Sequence, residues 1–321
     1  MNKRFLSCDW GTSSFRLRLI DVGSGESISE SLSDEGISSV YEEWIKAGLK
    51  EKQRVHFYFS VIDRHIKKIK QKVKDMEKGM PVIISGMASS NIGMIELPYT
   101  ILPFSSGGKD IEVKRIENEN FFSHELNIIS GARTKTDVMR GEETQLIGCA
   151  NGNMKEKQLF IFTGTHSKHI VTVSGEATDI KTYMTGELFS LLTTHSILAD
   201  SVWPFGDADA EENSAAFAQG VKNGADHNLS HSLFAVRTNQ LLKRLSKEAN
   251  YYYLSGLLIG AELGELSKTA IDTITIVGEE RLMANYSEAL KILHCNAHVK
   301  KTDAATATIR GQLAIYRRIY Q

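Results

Sequence analysis

A strand–turn–strand unit that occurs twice constrains this chain's fold more than any other feature. Arg4 to Asp9 reads as a strand, Trp10-Gly-Thr-Ser-Ser14 as a tight turn, and Phe15 to Asp21 as a second strand. Gln158 to Val173 repeats that order, with Thr163 to Ser167 in the place of Trp10 to Ser14. A third strand is expected after each, over Glu26 to Asp34 and Gly175 to Tyr183. Two meanders of the same order imply two related domains. The polar, turn-rich stretch Asn151 to Lys157 is the expected boundary, giving domains 1–150 and 151–321.

The first turn has glycine and hydroxyls where a hairpin needs positive φ and spare donors. Gly11, Thr12 and Ser13 can turn backbone N–H groups and hydroxyls into a small concavity that suits a phosphate. Asp9, just before it, is placed to reach a hydrated Mg²⁺ beside that phosphate. Arg16 and Arg18 share one face of the second strand, and Leu17 and Leu19 the other. An ordinary hairpin whose Asp9 and Thr12 only shape the turn reads the same from this stretch alone.

The 321 residues suffice for two domains with buried cores. A net charge of −1 provides no broad positive field for nucleic acid or an acidic membrane. Three scattered cysteines, without CxxC spacing, point to a reducing compartment. No apolar run has the length of a membrane span or the setting of a signal peptide. A cytoplasmic protein without nucleic-acid or membrane partners is expected.

Between the repeats, Val40 to Met76 reads as mainly helical, and Pro81 to Ser85 as a short buried parallel strand. Ser85, Ser89, Ser90 and Asn91 follow its C-terminal end, a common place for ligand contacts, and suit a polyhydroxylated molecule. A helix cap and its turn explain any one of them equally well. One or two further strands are expected over Ile111 to Ile129. Thr136 or Asp137 is expected to cap a helix reaching Ala150, with Glu142 and Glu143 as solvated acids near its N-terminus.

The second half reads as helical over Thr185 to His195, Glu211 to Asn223, Ser230 to Lys247 and Tyr251 to Lys268. Small residues in the last of these permit close helix approach. Thr273 to Val277 is a buried strand entering Gly278-Glu-Glu and a helix, a nucleotide-friendly arrangement. A strand (Ala297 to Lys301) and a helix (Ala304 to Tyr320) end the chain. His166 and His169, three apart on a strand, point to opposite faces and read as hydrogen-bonding residues, not zinc ligands. Thr185, Gly186 and Glu187 face a cleft or form a plain helix cap.

The first hairpin resembles the first phosphate loop of the actin-like ATPase superfamily of sugar kinases, Hsp70 chaperones, actin and exopolyphosphatases. That resemblance implies an α/β chain of two ribonuclease-H-like domains, each a mixed sheet with flanking helices, around a hinged cleft that holds ATP. Helix 304–320 is expected to pack back at the hinge. The expected ATP contacts are Gly11, Thr12, Ser13 and Arg16 in the first half, and Gly164, Thr165, Lys168 and Gly278 in the second. Many members carry an acid in the second loop where this chain has Phe162, which leaves Asp9 as the main Mg²⁺-organising residue.

The ordered set CDWGTSSFR, SGMASSNIG, VMRGEETQLIG, TGTHSKH, MTGEL and LSGLLIGAE is similar, over essentially the whole chain, to the 2-dehydro-3-deoxygalactonokinase family. Val138 to Gly148 is its most distinctive part. The resemblance implies ATP-dependent phosphorylation of the 6-hydroxyl of 2-dehydro-3-deoxy-D-galactonate in galactonate breakdown. Its glutamate helix is also similar to one in exopolyphosphatases, which makes Glu143 the expected general base and Glu142 the runner-up. A carboxylate is needed because a primary hydroxyl is a weak nucleophile until its proton has an acceptor. Arg140, His166 and Glu187 join Ser85, Ser89, Ser90 and Asn91 as expected substrate contacts. Lys168 is assigned either to phosphate or to the substrate carboxylate. Galacto and gluco epimers are both left open, and a homodimer is an assembly the sequence allows.

Two other readings compete. In an exopolyphosphatase-like phosphohydrolase, Glu143 would activate water. An actin-like nucleotide switch would bind ATP without catalysis. The missing acid at Phe162 and the Ser85 to Asn91 loop favour the kinase.

Overall fold

The computed structural model describes residues 3–77, 79–117, 123–150, 157–208, 210–226, 228–266 and 271–321. The chain divides into two units. Met1–Lys155, Thr172–Ile180 and Ala304–Gln321 form the first; Glu156–Val171 and Lys181–Asp303 form the second. The boundary expected within 151–157 falls almost entirely outside the described residues.

The first unit opens with the antiparallel meander β1 (Arg4–Trp10), β2 (Phe15–Asp21) and β3 (Ser27–Ser33). Strand alternation puts Leu6, Cys8, Leu17 and Leu19 in one fully buried cluster with residues of α1 (Ile37–Lys46) and α2 (Arg54–Lys72). After this crossover β4 (Val82–Gly86) enters parallel to β1, pairing Asp9 with Ser85 and Trp10 with Gly86. The short strands β5 (Thr100–Ile101), β6 (Phe104–Ser105), β7 (Val113–Ile116), β8 (Leu126–Ile129), β9 (Ala132–Arg133) and β10 (Val138–Met139) follow. The main sheet has the order β3-β2-β1-β4-β8-β7.

The helix expected from Thr136 begins later: α3 spans Glu142–Cys149. Thr134 Oγ1 accepts the N–H groups of Thr136 and Asp137, and Val138–Met139 pairs with β9. These local bonds hold the backbone in a turn and a strand where periodicity suggested a helix.

The chain repeats the meander as β11 (Gln158–Phe162), β12 (Ser167–Val173) and β13 (Glu176–Tyr183), of which Thr172–Ile180 is counted with the first unit. It continues with α4 (Thr185–Thr194), α5 (Glu211–Asp226), α6 (Leu229–Leu241), α7 (Lys247–Leu263), β14 (Thr273–Gly278), α8 (Glu280–Ile292) and β15 (His298–Asp303). The second six-stranded sheet has the order β15-β14-β11-β12-β13-β6, with β11, β14 and β15 parallel. Helix α6 stops at Leu241 instead of Lys247, and α7 starts at Lys247 instead of Tyr251. The reason is a cap: Ser246 Oγ accepts the Ala249 N–H at 3.1 Å. Helices α5 and α7 cross closely, since a Cβ on Gly220, Gly224, Gly256 or Gly260 would lie 2.0 to 2.2 Å from a carbonyl of the facing helix.

The chain ends in α9 (Ala304–Tyr320), which belongs to the first unit and packs on α3. Gln312 Nε2 donates to Cys8 O and to Ser85 Oγ, each at 2.8 Å, and so ties α9 beneath β1 and β4. Among the described residues no helix is long and apolar enough to cross a membrane.

Candidate active site

In the first unit, the turn after β1 is closed by Gly11 N–H donating to Ser14 O at 2.9 Å. Helix α1 seats its N-terminus on this turn: Ile37 N–H donates to Gly11 O at 3.0 Å and Ser38 N–H to Thr12 O at 3.1 Å. The turn's carbonyls are thereby satisfied, while the N–H groups of Thr12 and Ser13 find no backbone acceptor among the described residues. Those donors and the neighbouring hydroxyls suit an anion. Asp9 and Arg16 are register partners and form an ion pair at 3.0 Å. Among the described residues no group of three or more His, Cys, Asp or Glu could hold a metal by itself. The cation that fits Asp9 is one carried mostly by phosphate oxygens and water, as Mg²⁺ is.

Two glycines bring α3 over the C-terminal ends of β1 and β4. Gly86 has φ +91°, and a Cβ there would meet Trp10 O at 2.6 Å; Gly141 has φ +117° and its Cβ position lies 3.5 Å from Gly86 Cα. Glu143, next in line, is fully buried. Its Oε2 accepts the Gly141 N–H at 2.7 Å and its Oε1 the Thr144 hydroxyl at 3.0 Å. Burial, reinforced by the charge of Glu142, pushes the Glu143 carboxyl up to about 7. The acid expected to be solvated is therefore a desolvated group poised near neutrality.

Glu142 is half-buried and accepts the Arg140 N–H at 3.0 Å. The Arg140 guanidinium lies 4.1 Å from the centre of the Tyr99 ring and donates to Ser89 O and Ser89 Oγ at 2.6 and 2.7 Å. Arg140 and Ser89 are thus joined directly. Ser85 is occupied by Gln312, and Ser90 donates to Met87 O at 2.7 Å. Asn91 is exposed, its carbonyl held by Arg54.

The second unit rebuilds the first turn's support. Glu187 N–H of α4 donates to Thr165 O at 3.0 Å, as the start of α1 does to Thr12 O. Gly186 lies against Gly164, where a Cβ would meet its carbonyl at 2.3 Å. His166 and Glu187 bond to each other through Nε2 and Oε2. Lys168 is buried on β12, and its amine has no hydrogen bond or ion pair among the described residues. Gly278 ends β14 against Thr163, whose Oγ1 stands 1.9 Å from where a Cβ would be.

Gly164 and Gly186 also line a pocket of about 220 Å³, with Tyr251, Tyr252, Ser255, Arg281 and Asn285 among its other walls. Sequence reasoning singled out none of those five as ligand contacts. The available signal was the run of three tyrosines, Tyr251 to Tyr253, at the polar end of an otherwise apolar, glycine-containing helix.

Comparison with known proteins gives the chain's family. Residues 9–315 match the family described as 2-keto-3-deoxy-galactonokinase. The chain is 34% identical over 239 residues to the 2-dehydro-3-deoxygalactonokinase of Escherichia coli K12, covering 71% of this chain and 76% of that protein. It is 31% identical to a Rhizobium meliloti (strain 1021) protein to which the same activity is ascribed, over 98% and 97% of the two chains. A Sinorhizobium meliloti crystal structure, ascribed the same activity, superposes with a TM-score of 0.81 at 29% identity, covering 98% and 97%. The α/β fold extends to component A of (R)-2-hydroxyglutaryl-CoA dehydratase from Acidaminococcus fermentans. That match has a TM-score of 0.50 at 11% identity, over 100% of both chains. With its family match spanning the glycine-set glutamate helix and both phosphate-type turns, the chain belongs to the 2-keto-3-deoxy-galactonokinase family of sugar-acid kinases, phosphotransferases with an alcohol group as acceptor.

Proposed function

We propose that the chain transfers the terminal phosphoryl group of ATP to the 6-hydroxyl of 2-dehydro-3-deoxy-D-galactonate, in the breakdown of D-galactonate. The observation that carries the reaction chemistry is Glu143: a fully buried carboxyl, pushed up to about 7, beside the C-terminal ends of β1 and β4. It receives the proton of the sugar hydroxyl as the oxygen bonds to the γ-phosphorus. The bond from that phosphorus to the β,γ-bridging oxygen breaks, and ADP leaves. Such a transfer otherwise needs positioning and charge neutralisation.

The nucleotide's phosphates are assigned to the Gly11–Ser13 and Gly164–Thr165 turns and to Arg16, and Gly278 is assigned to the adenosine side. Its adenosine is assigned to the Tyr251–Arg281 pocket, because Gly164 lines that pocket as well as the turn. Asp9 would hold Mg²⁺, which when bound neutralises charge on the phosphate oxygens. Arg140, Ser85, Ser89, Ser90, Asn91, His166 and Glu187 are assigned to the sugar acid. Lys168 supplies a positive charge for phosphate or for the substrate carboxylate.

The test is ADP release from Mg-ATP with 2-dehydro-3-deoxygalactonate, with its gluconate epimer, and with neither. Release that requires the galactonate compound is the expected result. Release in the absence of any sugar acid would replace the kinase with a phosphohydrolase. Confirmed ATP binding without release under any condition would leave a nucleotide switch or a different acceptor.

A further inference from the structure

The second unit buries a carboxylate that phosphoryl transfer does not use. Glu262, on α7, is 3% exposed and is surrounded by donors from three other elements. Its Oε1 accepts the Ser167 hydroxyl at 2.6 Å and a bond from His169 Nε2 at 2.8 Å. Its Oε2 accepts the Tyr286 hydroxyl at 2.7 Å and the Thr185 hydroxyl. A carboxylate offers about four lone-pair positions, so all are filled. Desolvation alone would raise this acid, but the bonds from His169, Ser167 and Thr185 outweigh it and keep its carboxyl below the usual range. Glu262 is therefore ionised wherever the protein is folded near neutrality, and its donors are held by charge-assisted bonds.

Three of the four donors belong to parts of the assigned nucleotide site. Ser167 is the residue at which the second turn enters β12. Thr185 opens α4, whose next two residues, Gly186 and Glu187, rest on the carbonyls of Gly164 and Thr165. Thr185 and Tyr286 line the 220 Å³ pocket. Glu262 itself is fixed, because α7 is locked against α5 through the Gly220, Gly224, Gly256 and Gly260 crossing. Turn, helix start and pocket wall thus meet at one anion on an immobile helix.

We propose that Glu262 is a positioning residue for the nucleotide: it holds the Gly164–Thr165 turn, the start of α4 and Tyr286 in the arrangement that ATP requires, without touching ATP. The proposal rests on the assignment of the nucleotide to this pocket. Glu262→Gln keeps the side chain's shape but replaces one acceptor oxygen with a donor that faces other donors. In the full-length enzyme it should raise the ADP Kd and the KM for ATP by about tenfold. The KM for the sugar acid should stay within about twofold, and kcat at saturating ATP within about threefold.

A purely structural carboxylate would be distinguished by a matched control. Val236→Ala, on the buried face of α6 and outside the assigned site, should lower the melting temperature while leaving ADP affinity intact. If the two variants lose ADP affinity alike at similar melting temperatures, or if Glu262→Gln binds ADP as the wild type does, the proposal is overturned. Hydrogen exchange of the wild type separates the underlying assignment: ADP should protect Tyr251 to Ile259 and Arg281 to Tyr286. Protection elsewhere overturns the assignment and the proposal together; protection there with unchanged Glu262→Gln affinity overturns the proposal alone. Should Glu262→Gln fail to fold, Ser167→Ala removes one donor of four and should still weaken ADP about threefold. An unchanged ADP Kd in that variant would overturn the proposal.

Discussion

Glu143 combines a high desolvation cost with hydrogen bonds that offset only part of it, and its expected behaviour follows from that imbalance. Glu143→Gln cannot take a proton and should lower turnover by about 10² to 10⁴ while leaving nucleotide binding intact. In the wild type, kcat/KM should rise with pH through an apparent value near 7 and then level off, since only the ionised form accepts the hydroxyl proton. A flat profile between pH 5.5 and 8 would remove Glu143 from that role. The same carboxyl makes a stability prediction of opposite sense to the usual acid. Its folded value lies above the ordinary 4.5, so the folded state binds the proton more tightly and stability falls as pH rises from about 4.5 to about 7. Glu143→Gln escapes this loss. Thermal melts should therefore favour the variant over the wild type by more at pH 8 than at pH 5; an equal gap at both would contradict the shifted carboxyl.

Among the elements, the placement of α3 depends on the Gly86–Trp10 contact. Gly86→Ala puts a Cβ at 2.6 Å from Trp10 O on a residue with φ +91°, and should cost more than about 2 kcal/mol while reducing kcat more than the KM for ATP. A variant with wild-type stability and turnover would show that α3 does not rely on this approach. Much of the architecture was legible because the hairpins and parallel strands carry short apolar runs, buried along most of their length, bounded by glycine–hydroxyl turns that local chemistry dictates. Both phosphate-type turns, β4 and β14 lie where pattern and turn residues point. The helix expected at Thr136 was misread because the Thr134 side chain, three and two residues from its partners, holds a turn that periodicity cannot register. The break before α7 was expected after Lys247 and falls earlier for a related reason: Ser246 reads as part of the preceding helix but acts as a cap. Glu143 was identifiable as a residue but not as a buried one, since α9, which packs on its helix, comes about 160 residues further along the chain. Glu262 was less visible still, because a single acid in a glycine-rich apolar helix does not reveal donors that arrive from β12, α4 and α8.

For the whole chain, the decisive fact is that the first unit is discontinuous: its last piece, α9, is made only after the second unit is complete. That helix contributes more than a cover. Gln312 bonds to Cys8 O and Ser85, Arg317 donates to Val22 O at 3.0 Å, and Tyr320 accepts from Asn127 at 2.9 Å. Its crossing with α3 is so close that a Cβ on Gly311 would stand 1.9 Å from Thr144 O, the residue after the proposed base. Gly311→Val cannot be accommodated without separating α9 from α3. The loss should be felt in the first unit: faster amide hydrogen exchange in β1, β4 and α3, and loss of sugar-dependent ADP release. The second unit has its own cores, built from Leu159, Ile161, Val221, Ile274 and Ile276 around α5, α7 and α8, and from Leu254, Leu257 and Val236 around α6 and α7. Exchange protection of α5 to α8 and ADP affinity should therefore survive in the variant. If protection collapses equally in both units, folding is cooperative across the whole chain, and α9 then acts as a closure for the entire molecule. If neither unit changes, the α3–α9 crossing is not what positions Glu143, and the carboxyl must be held by Gly141 and Thr144 alone.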